Sequence, residues 1–398
     1  MTYSTTLVEV LEAVLGPTTP RPVALHEPEV TTKEEESILE CLKSGWLSSV
    51  GPYVERFEKD LCVVTGAKHA VAMASGTSAL QLALYALGVK PGDEVIVPAL
   101  SFVATANAVA HCGAVPHFVD VDETTLGIDP QLLATHLSKV STRQDGATWN
   151  RHTGRRLAAI IPVHVLGLAA DIHSILKVAA EFELLVVEDA AEALGTTVDS
   201  RHTGTYGIAG MLSFNGNKTI TTGNGGAIVT NNPTLAQKLR HISSTSKKPH
   251  PWRYDHDEIG WNYRLPNVNA ALGSAQLIRL DSILERKRRL HQNYKKTFQV
   301  YESFTLFDER ANTRSNYWLS AVRISGVSLE ERERILTDCH LRGFLCRPLW
   351  SLLPDLPMFK SSPTASLDTA RLLEQEVICL PSSPQLCSSD TNETLNDK

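Results

Sequence analysis

The chain has 398 residues, of which 42% are apolar, 21% charged and 6% aromatic, and it carries a formal net charge of −6. That length suits two domains or one large enzyme with a sizeable buried core, and the composition excludes disordered, collagen-like and fibrous classes. With a pI near 6.2 there is no whole-chain basic field, which excludes bulk nucleic-acid binding.

In chain order, Leu7, Val8, Leu11, Val14 and Leu15 recur at helical spacing and are stopped by the proline-rich stretch 17–22, so residues 1–22 read as an N-terminal arm. From residue 69 onward, apolar runs at 69–73, 94–98, 115–119, 158–163 and 184–188 alternate with helical patterns. Strand-helix-strand repetition of this kind predicts a mostly parallel sheet covered on both faces. Glycine-rich turns fill 204–226, and a strand follows at 227–230. After Leu265-Pro266 the pattern is one long helix from Val268 to about Lys296, then shorter segments at 317–324 and 329–341. The predicted organisation is a large domain over 23–264 and a small C-terminal α/β domain over 265–398, whose polar end, 387–398, is expected to fray.

Seven cysteines (Cys41, Cys62, Cys112, Cys339, Cys346, Cys379, Cys387) form no C-x-x-C pair, so neither a disulfide framework nor a zinc finger is indicated. The N-terminus lacks a basic segment ahead of an apolar core, and the most apolar stretch, 158–170, is too short for a bilayer span. A soluble protein of the reducing cytoplasm is expected, with no membrane or nucleic-acid partner.

Three motifs carry chemistry. Ser75-Gly-Thr-Ser78 lies between a strand and a helix, where Gly76 permits close backbone approach and Thr77 and Ser78 add hydroxyls to the helix N-terminus. It is a phosphate site or an ordinary helix cap. Asp189 ends a strand, where ligands of open α/β sheets bind; it either meets a cationic group or caps the helix that follows. Lys218, in Ser213-Phe-Asn-Gly-Asn-Lys218, is a solvated side chain, a phosphate-loop lysine or a desolvated nucleophile. A Walker loop needs Gly immediately before the Lys, and position 217 is Asn. Together the three supply what pyridoxal 5'-phosphate requires: a phosphate anchor, a carboxylate to keep the ring nitrogen protonated, and a Schiff-base amine.

Ser75-Gly-Thr-Ser-Ala-Leu80, Ser101-Phe-Val-Ala-Thr-Ala-Asn107, Glu188-Asp-Ala-Ala-Glu192, Ser213 to Lys218 and Gly260-Trp-Asn-Tyr-Arg264 resemble, in order and across most of the chain, the DegT/DnrJ/EryC1/StrS nucleotide-sugar aminotransferases. Val23-Ala-Leu-His-Glu-Pro28, Ser44-Gly-Trp-Leu-Ser-Ser-Val-Gly51 and Leu126-Gly-Ile-Asp129 are similar to its LegC-like branch, which aminates C4 of a UDP-linked 4-keto-6-deoxy N-acetylhexosamine. The resemblance implies a fold-type-I, aspartate aminotransferase-like enzyme, working as a homodimer with shared sites and taking its amino group from L-glutamate. It implies that Lys218 is the Schiff-base lysine and base, that Asp189 pairs with the ring nitrogen, and that Glu192 reaches the phenolic oxygen or a neighbouring group. Thr77, Ser78 and Ser213 would hold the phosphate, Phe102 would stack on the ring, and Asn262 of a second copy would complete the cup. His164, Arg264 and Tyr317 are substrate-side candidates.

Two positions depart from the family pattern: Asn224 stands where Glu or Gly is frequent, and Glu192 where Gln or His is frequent. Lys at 218 excludes the family's dehydratase offshoot. Other substrates in view are a different keto deoxysugar or a keto-cyclitol, and a non-catalytic sensor that binds the cofactor or sugar nucleotide is the contrasting reading. The basic run Glu285-Arg-Lys-Arg-Arg289 reads as a solvated helix face that could also meet a diphosphate. His241, His250 and His256 lack metal-ligand spacing, and no metal is expected.

Overall fold

A computed structural model describes residues 3–387; most of the polar C-terminal end expected to fray lies outside the described residues. Seven strands form the central sheet in the order His69–Met73, Gly226–Thr230, Ala209–Ser213, Leu185–Asp189, Leu157–Ile160, Glu94–Pro98 and Val115–Val119. The pairs from Ala209–Ser213 through Val115–Val119 are parallel, and Gly226–Thr230 is antiparallel to both of its neighbours. Continuous apolar runs such as Glu94-Val-Ile-Val-Pro98 are buried at every position, as expected of strands covered on both faces. The carboxyl ends of the parallel strands open on one edge, and Asp189 stands at the end of one of them.

A second, antiparallel sheet orders Phe304–Leu306, Ser320–Ile324, Val377–Leu380 and Arg347–Pro348. It is tied to the large sheet by Asp120, whose carboxylate accepts the N–H groups of Thr369 (3.0 Å) and Ala370 (2.8 Å) at the start of the helix Asp368–Glu376. A carboxylate at a helix N-terminus meets both free donors and the positive dipole end.

Packing runs across both boundaries drawn from sequence. On the helix Tyr3–Leu15, Leu7, Leu11 and Leu15 share a core with Tyr294, Phe298, Ile335 and Cys339 of the C-terminal part. The break expected at 265 falls inside a continuous core. The helix Asn267–Ile278 packs on Thr32–Ser44 and Pro52–Thr65, and the Asn267 side chain donates to the Trp46 carbonyl at 2.7 Å. The single long helix expected from Val268 is two, Asn267–Ile278 and Leu280–Phe298. Along the second, Ile283 and Leu284 belong to the large-domain core, whereas Leu290, Tyr294 and Phe298 belong to the C-terminal core. Helical periodicity reports which face is buried, not which partner buries it.

Beyond the Glu192 turn, His202 accepts the Gly195 N–H on Nε2 at 2.8 Å and donates from Nδ1 to the Thr203 carbonyl. Its ring is therefore neutral, and burial lowers its pKa from 6.5 to about 4. The unfolded chain takes up a proton below about 6.5 that the folded chain refuses, so this contribution is whole above that pH and is lost as pH falls toward 4. The loss amounts to roughly 3 kcal/mol. In urea titrations between pH 7 and 4.5, His202→Gln should show a shallower decline of midpoint than the parent chain; an equal decline contradicts the assignment.

Candidate active site

Ser75 caps the helix Gly76–Ala86, accepting the Ser78 N–H at 3.1 Å, while the Ser78 hydroxyl accepts the Ser75 N–H at 3.2 Å and donates to the Ser75 carbonyl at 2.9 Å. The Ser78 hydroxyl, expected to meet a phosphate, is engaged with the Ser75 backbone in this cap. Gly76 and Thr77 do face a cavity of about 230 Å³, together with Ser213, Asp189, Glu192, Lys218, Phe102 and Asn224. A Cβ on Gly76 would meet Met211 Sδ at 3.0 Å and Ser213 Cβ at 3.1 Å, so only glycine lets the helix start sit this close to the neighbouring strand.

Asp189 is 4% exposed. Its Oδ2 accepts the Thr105 hydroxyl at 2.8 Å and its Oδ1 the Ala191 N–H at 3.1 Å. Residues 190–195 form turns rather than a helix, so the carboxylate does not serve as a helix cap. Burial raises its pKa, opposed first by the Thr105 hydrogen bond; such an acid favours a cationic partner. Thr105, one helical turn beyond Ser101, was not identified from sequence, although Ser101-Phe-Val-Ala-Thr105 contains it.

The loop that follows the strand Ala209–Ser213 brings Lys218 back over the sheet edge. Its Nζ donates to Glu192 Oε1 at 3.3 Å and lies 3.9 Å above the Trp318 ring. The other Glu192 oxygen accepts the Leu166 N–H at 2.8 Å. Burial raises the Glu192 pKa, with Lys218 opposing and the Asp189 charge adding to the rise. The Lys218 amine is thus held between an acid and an indole face, not solvated.

Phe102, 51% exposed, stands at the mouth with its edge toward Trp350, centroids 6.4 Å apart. A second cavity of about 400 Å³ shares Phe102, Glu192, Asn215 and Lys218 with the first and extends along Trp318, Arg347 and Trp350 of the C-terminal part. Sequence reasoning did not single out Asn215, Arg347 or Trp350, which only the folding of the second sheet brings to Lys218.

The three substrate-side candidates lie elsewhere. His164 is fully buried beneath the cleft, with Nε2 3.0 Å from Glu188 Oε2 and Nδ1 accepting the Ala170 N–H. Arg264 is paired with Glu58 Oε1 at 2.8 Å and lines neither cavity. Tyr317 is stacked on His291 at 3.7 Å and donates to Asp308 at 2.5 Å. The adjacent Trp318 occupies the wall instead, across a backbone turn with Tyr317 at φ 45°. Asn262 is exposed, in a segment bridged to Ser244, and lines neither cavity of its own chain. His241, set aside for want of metal-ligand spacing, lies 2.7 Å from Asp257 Oδ1, and with Glu258 forms a surface cluster.

The DegT/DnrJ/EryC1/StrS aminotransferase profile matches residues 28–396. GDP-perosamine synthase of Caulobacter vibrioides is 35% identical over 374 residues, covering 94% of this chain and 96% of that one. The spore coat polysaccharide biosynthesis protein SpsC of Bacillus subtilis is 39% identical over 281 residues, 68% of each. Among solved structures, the aminotransferase TlmJ from Streptoalloteichus hindustanus superposes with a TM-score of 0.83 at 28% identity, covering 92% of this chain and 95% of its own. Helicobacter pylori PseC, an aminotransferase of pseudoaminic acid biosynthesis, gives 0.81 at 27%, covering 90% and 93%. Such neighbours are pyridoxal phosphate-dependent sugar aminotransferases of fold type I, and one has been seen in its PLP form. The sheet order, the Asp189–Lys218 arrangement and these matches agree that the chain belongs to the DegT/DnrJ/EryC1/StrS aminotransferase family and is a pyridoxal phosphate-dependent nucleotide-sugar aminotransferase.

Proposed function

We propose that the enzyme takes an amino group from L-glutamate and delivers it to C4 of a nucleotide-linked 4-keto-6-deoxyhexose. Its substrate would be a UDP-linked N-acetylhexosamine, in legionaminic acid-type or other surface-sugar biosynthesis. The observation that carries this is the Lys218 amine at the seam of two joined cavities, one ending on Asp189 and the other walled by Trp318 and Trp350. The UDP assignment is supported by the wording of 23–28, 44–51 and 126–129. A GDP-linked substrate is the second reading, favoured by the GDP-perosamine synthases among the relatives.

The residues present fit the cofactor. A buried carboxylate whose charge is opposed by desolvation is relieved by a protonated pyridine nitrogen, and Gly76, Thr77 and Ser213 surround the N-terminus of a helix suited to a phosphate. Pyridoxal 5'-phosphate, when bound, supplies an electron-accepting ring and carries the amino group from donor to sugar. Lys218 would hold it covalently and, once free, would move a proton at the sugar C4. Glu192 would meet its phenolic oxygen, and Phe102 would cover its ring at the mouth. Asn262 of a second copy would close the phosphate cup, which makes the proposed working unit a homodimer. Among the described residues no helix is long and apolar enough to cross a membrane, and we place the reaction in the cytoplasm.

Replacing Lys218 by Ala should abolish the near-visible absorption band of covalently held cofactor and all turnover; a retained band defeats the assignment. Thr105→Val removes one hydrogen bond from a buried acid, at a cost of about 1–3 kcal/mol, and should weaken cofactor binding by roughly tenfold or more in equilibrium titrations. Turnover of UDP-, GDP- and dTDP-linked 4-keto sugars, with product configuration read by NMR, tests the substrate. Preference for a 3-keto sugar or cyclitol contradicts C4 transfer, and failure to convert glutamate to 2-oxoglutarate favours a non-catalytic sensor.

A further inference from the structure

His26 is 7% exposed, and neither ring nitrogen has a hydrogen-bond partner within the described chain. Buried polar side chains are nearly always paired, because an unpaired one forfeits its hydration without return. The ring is held from all sides. Leu25, one residue earlier, lines the cavity beside Lys218 and accepts the Ser382 N–H at 2.7 Å, and the Glu27 N–H donates to Ser383 Oγ at 2.8 Å. Trp318 lies alongside, ring centroids 6.5 Å apart. The backbone of Asn217 faces the ring in a geometry short of a hydrogen bond.

The charged groups that face His26 are both cations, Lys287 and Lys218. Lys287 is itself fully buried and donates to the carbonyls of Trp318 (3.0 Å) and Ser382 (2.5 Å). It thereby ties the Trp318 wall to the segment that fixes Leu25. Burial first, then Lys287 and Lys218, hold the His26 pKa well below its ordinary value, so the imidazole is neutral and keeps one donor and one acceptor free.

Lys218 must detach from the cofactor in each half-reaction and then act as a base, which requires a neutral amine. Its present acceptor, Glu192, is shared with the Leu166 N–H and is the group assigned above to the cofactor's phenolic oxygen, so the detached amine needs another partner. Both His26 and the Lys218 amine adjoin the Trp318 ring, and a neutral imidazole would offer the amine a hydrogen bond without adding negative charge. We infer that His26 is a positioning residue for Lys218, offering its unpaired ring nitrogen beside Trp318 as a second resting point for the detached amine. The inference rests on the role given to Lys218 above.

The test compares His26→Leu and His26→Gln with the parent holoenzyme. An apolar residue of similar bulk removes an unpaired polar group, so His26→Leu should leave the Tm unchanged or raise it in both apo and cofactor-loaded protein. Its kcat should fall by about tenfold or more while the KM for the sugar nucleotide stays within roughly threefold. His26→Gln, which restores a neutral acceptor, should recover most of kcat. Recovery of the near-visible band after cofactor is added to apo protein should be slowed in the Leu variant and restored in the Gln variant. Unchanged kcat in His26→Leu overturns the proposal. So does a lowered Tm with kcat loss that Gln does not repair, which is the signature of a packing residue. If Lys218→Ala retains the band, the fault lies with the assignment of Lys218 and not with His26.

Discussion

A carboxylate buried at the end of the Leu185–Asp189 strand is the constraint on which the cleft depends. Removing such a charge from water costs several kcal/mol unless a cation or several donors meet it. Here one hydroxyl, from Thr105, and one turn N–H, from Ala191, meet it, and the Lys218 amine in the same cavity is engaged with Glu192 and Trp318. The protein therefore holds an acid that is incompletely satisfied by its own chain. That is the condition under which a ligand bearing a protonated ring nitrogen is bound strongly and kept electron-poor.

The same economy explains the rest of the site. The central sheet supplies the floor, with Asp189 and Ser213 at strand ends and the helix from Gly76 starting at the cavity. The antiparallel sheet supplies the wall through Trp318, Arg347 and Trp350. Lys218 stands where floor and wall meet, which is where an amine must stand if it is to touch both cofactor and substrate. A buried polar link, Asp120 to the Asp368–Glu376 helix, ties the two sheets, and Lys287 ties its own helix to two carbonyls beside the second sheet; such links are directional and apolar packing is not.

Local signals were sufficient where a residue's role depends on its own element. The strand-helix alternation, Gly76 at the start of its helix, and Asp189 at a strand end follow from periodicity and turn chemistry. Ser78 and Tyr317 show where that stops. The Ser78 hydroxyl is taken by the cap it helps to build, a competition the bare Ser-Gly-Thr-Ser motif leaves open. Tyr317 and Trp318 are neighbours in the chain, and which of them enters the cleft depends on a backbone turn with Tyr317 at φ 45°. His164 is a related case: its motif follows the strand Leu157–Ile160, and its buried ring meets Glu188 and lines neither cavity.

What the sequence by itself determined was the class of chemistry, since the spacing of a glycine-led turn, a strand-end acid and a lysine is set by covalent geometry and strand length. It also determined the parallel sheet, through its runs of apolar residues. Tertiary structure alone decided that the first helix belongs with the C-terminal core, that the helix after Pro266 belongs with the large one, and that Thr105, Trp318, Arg347 and Trp350 gather around Lys218. These are contacts between segments tens to hundreds of residues apart. They depend on which apolar face meets which, and a one-dimensional pattern records the existence of a face without naming the surface that will cover it.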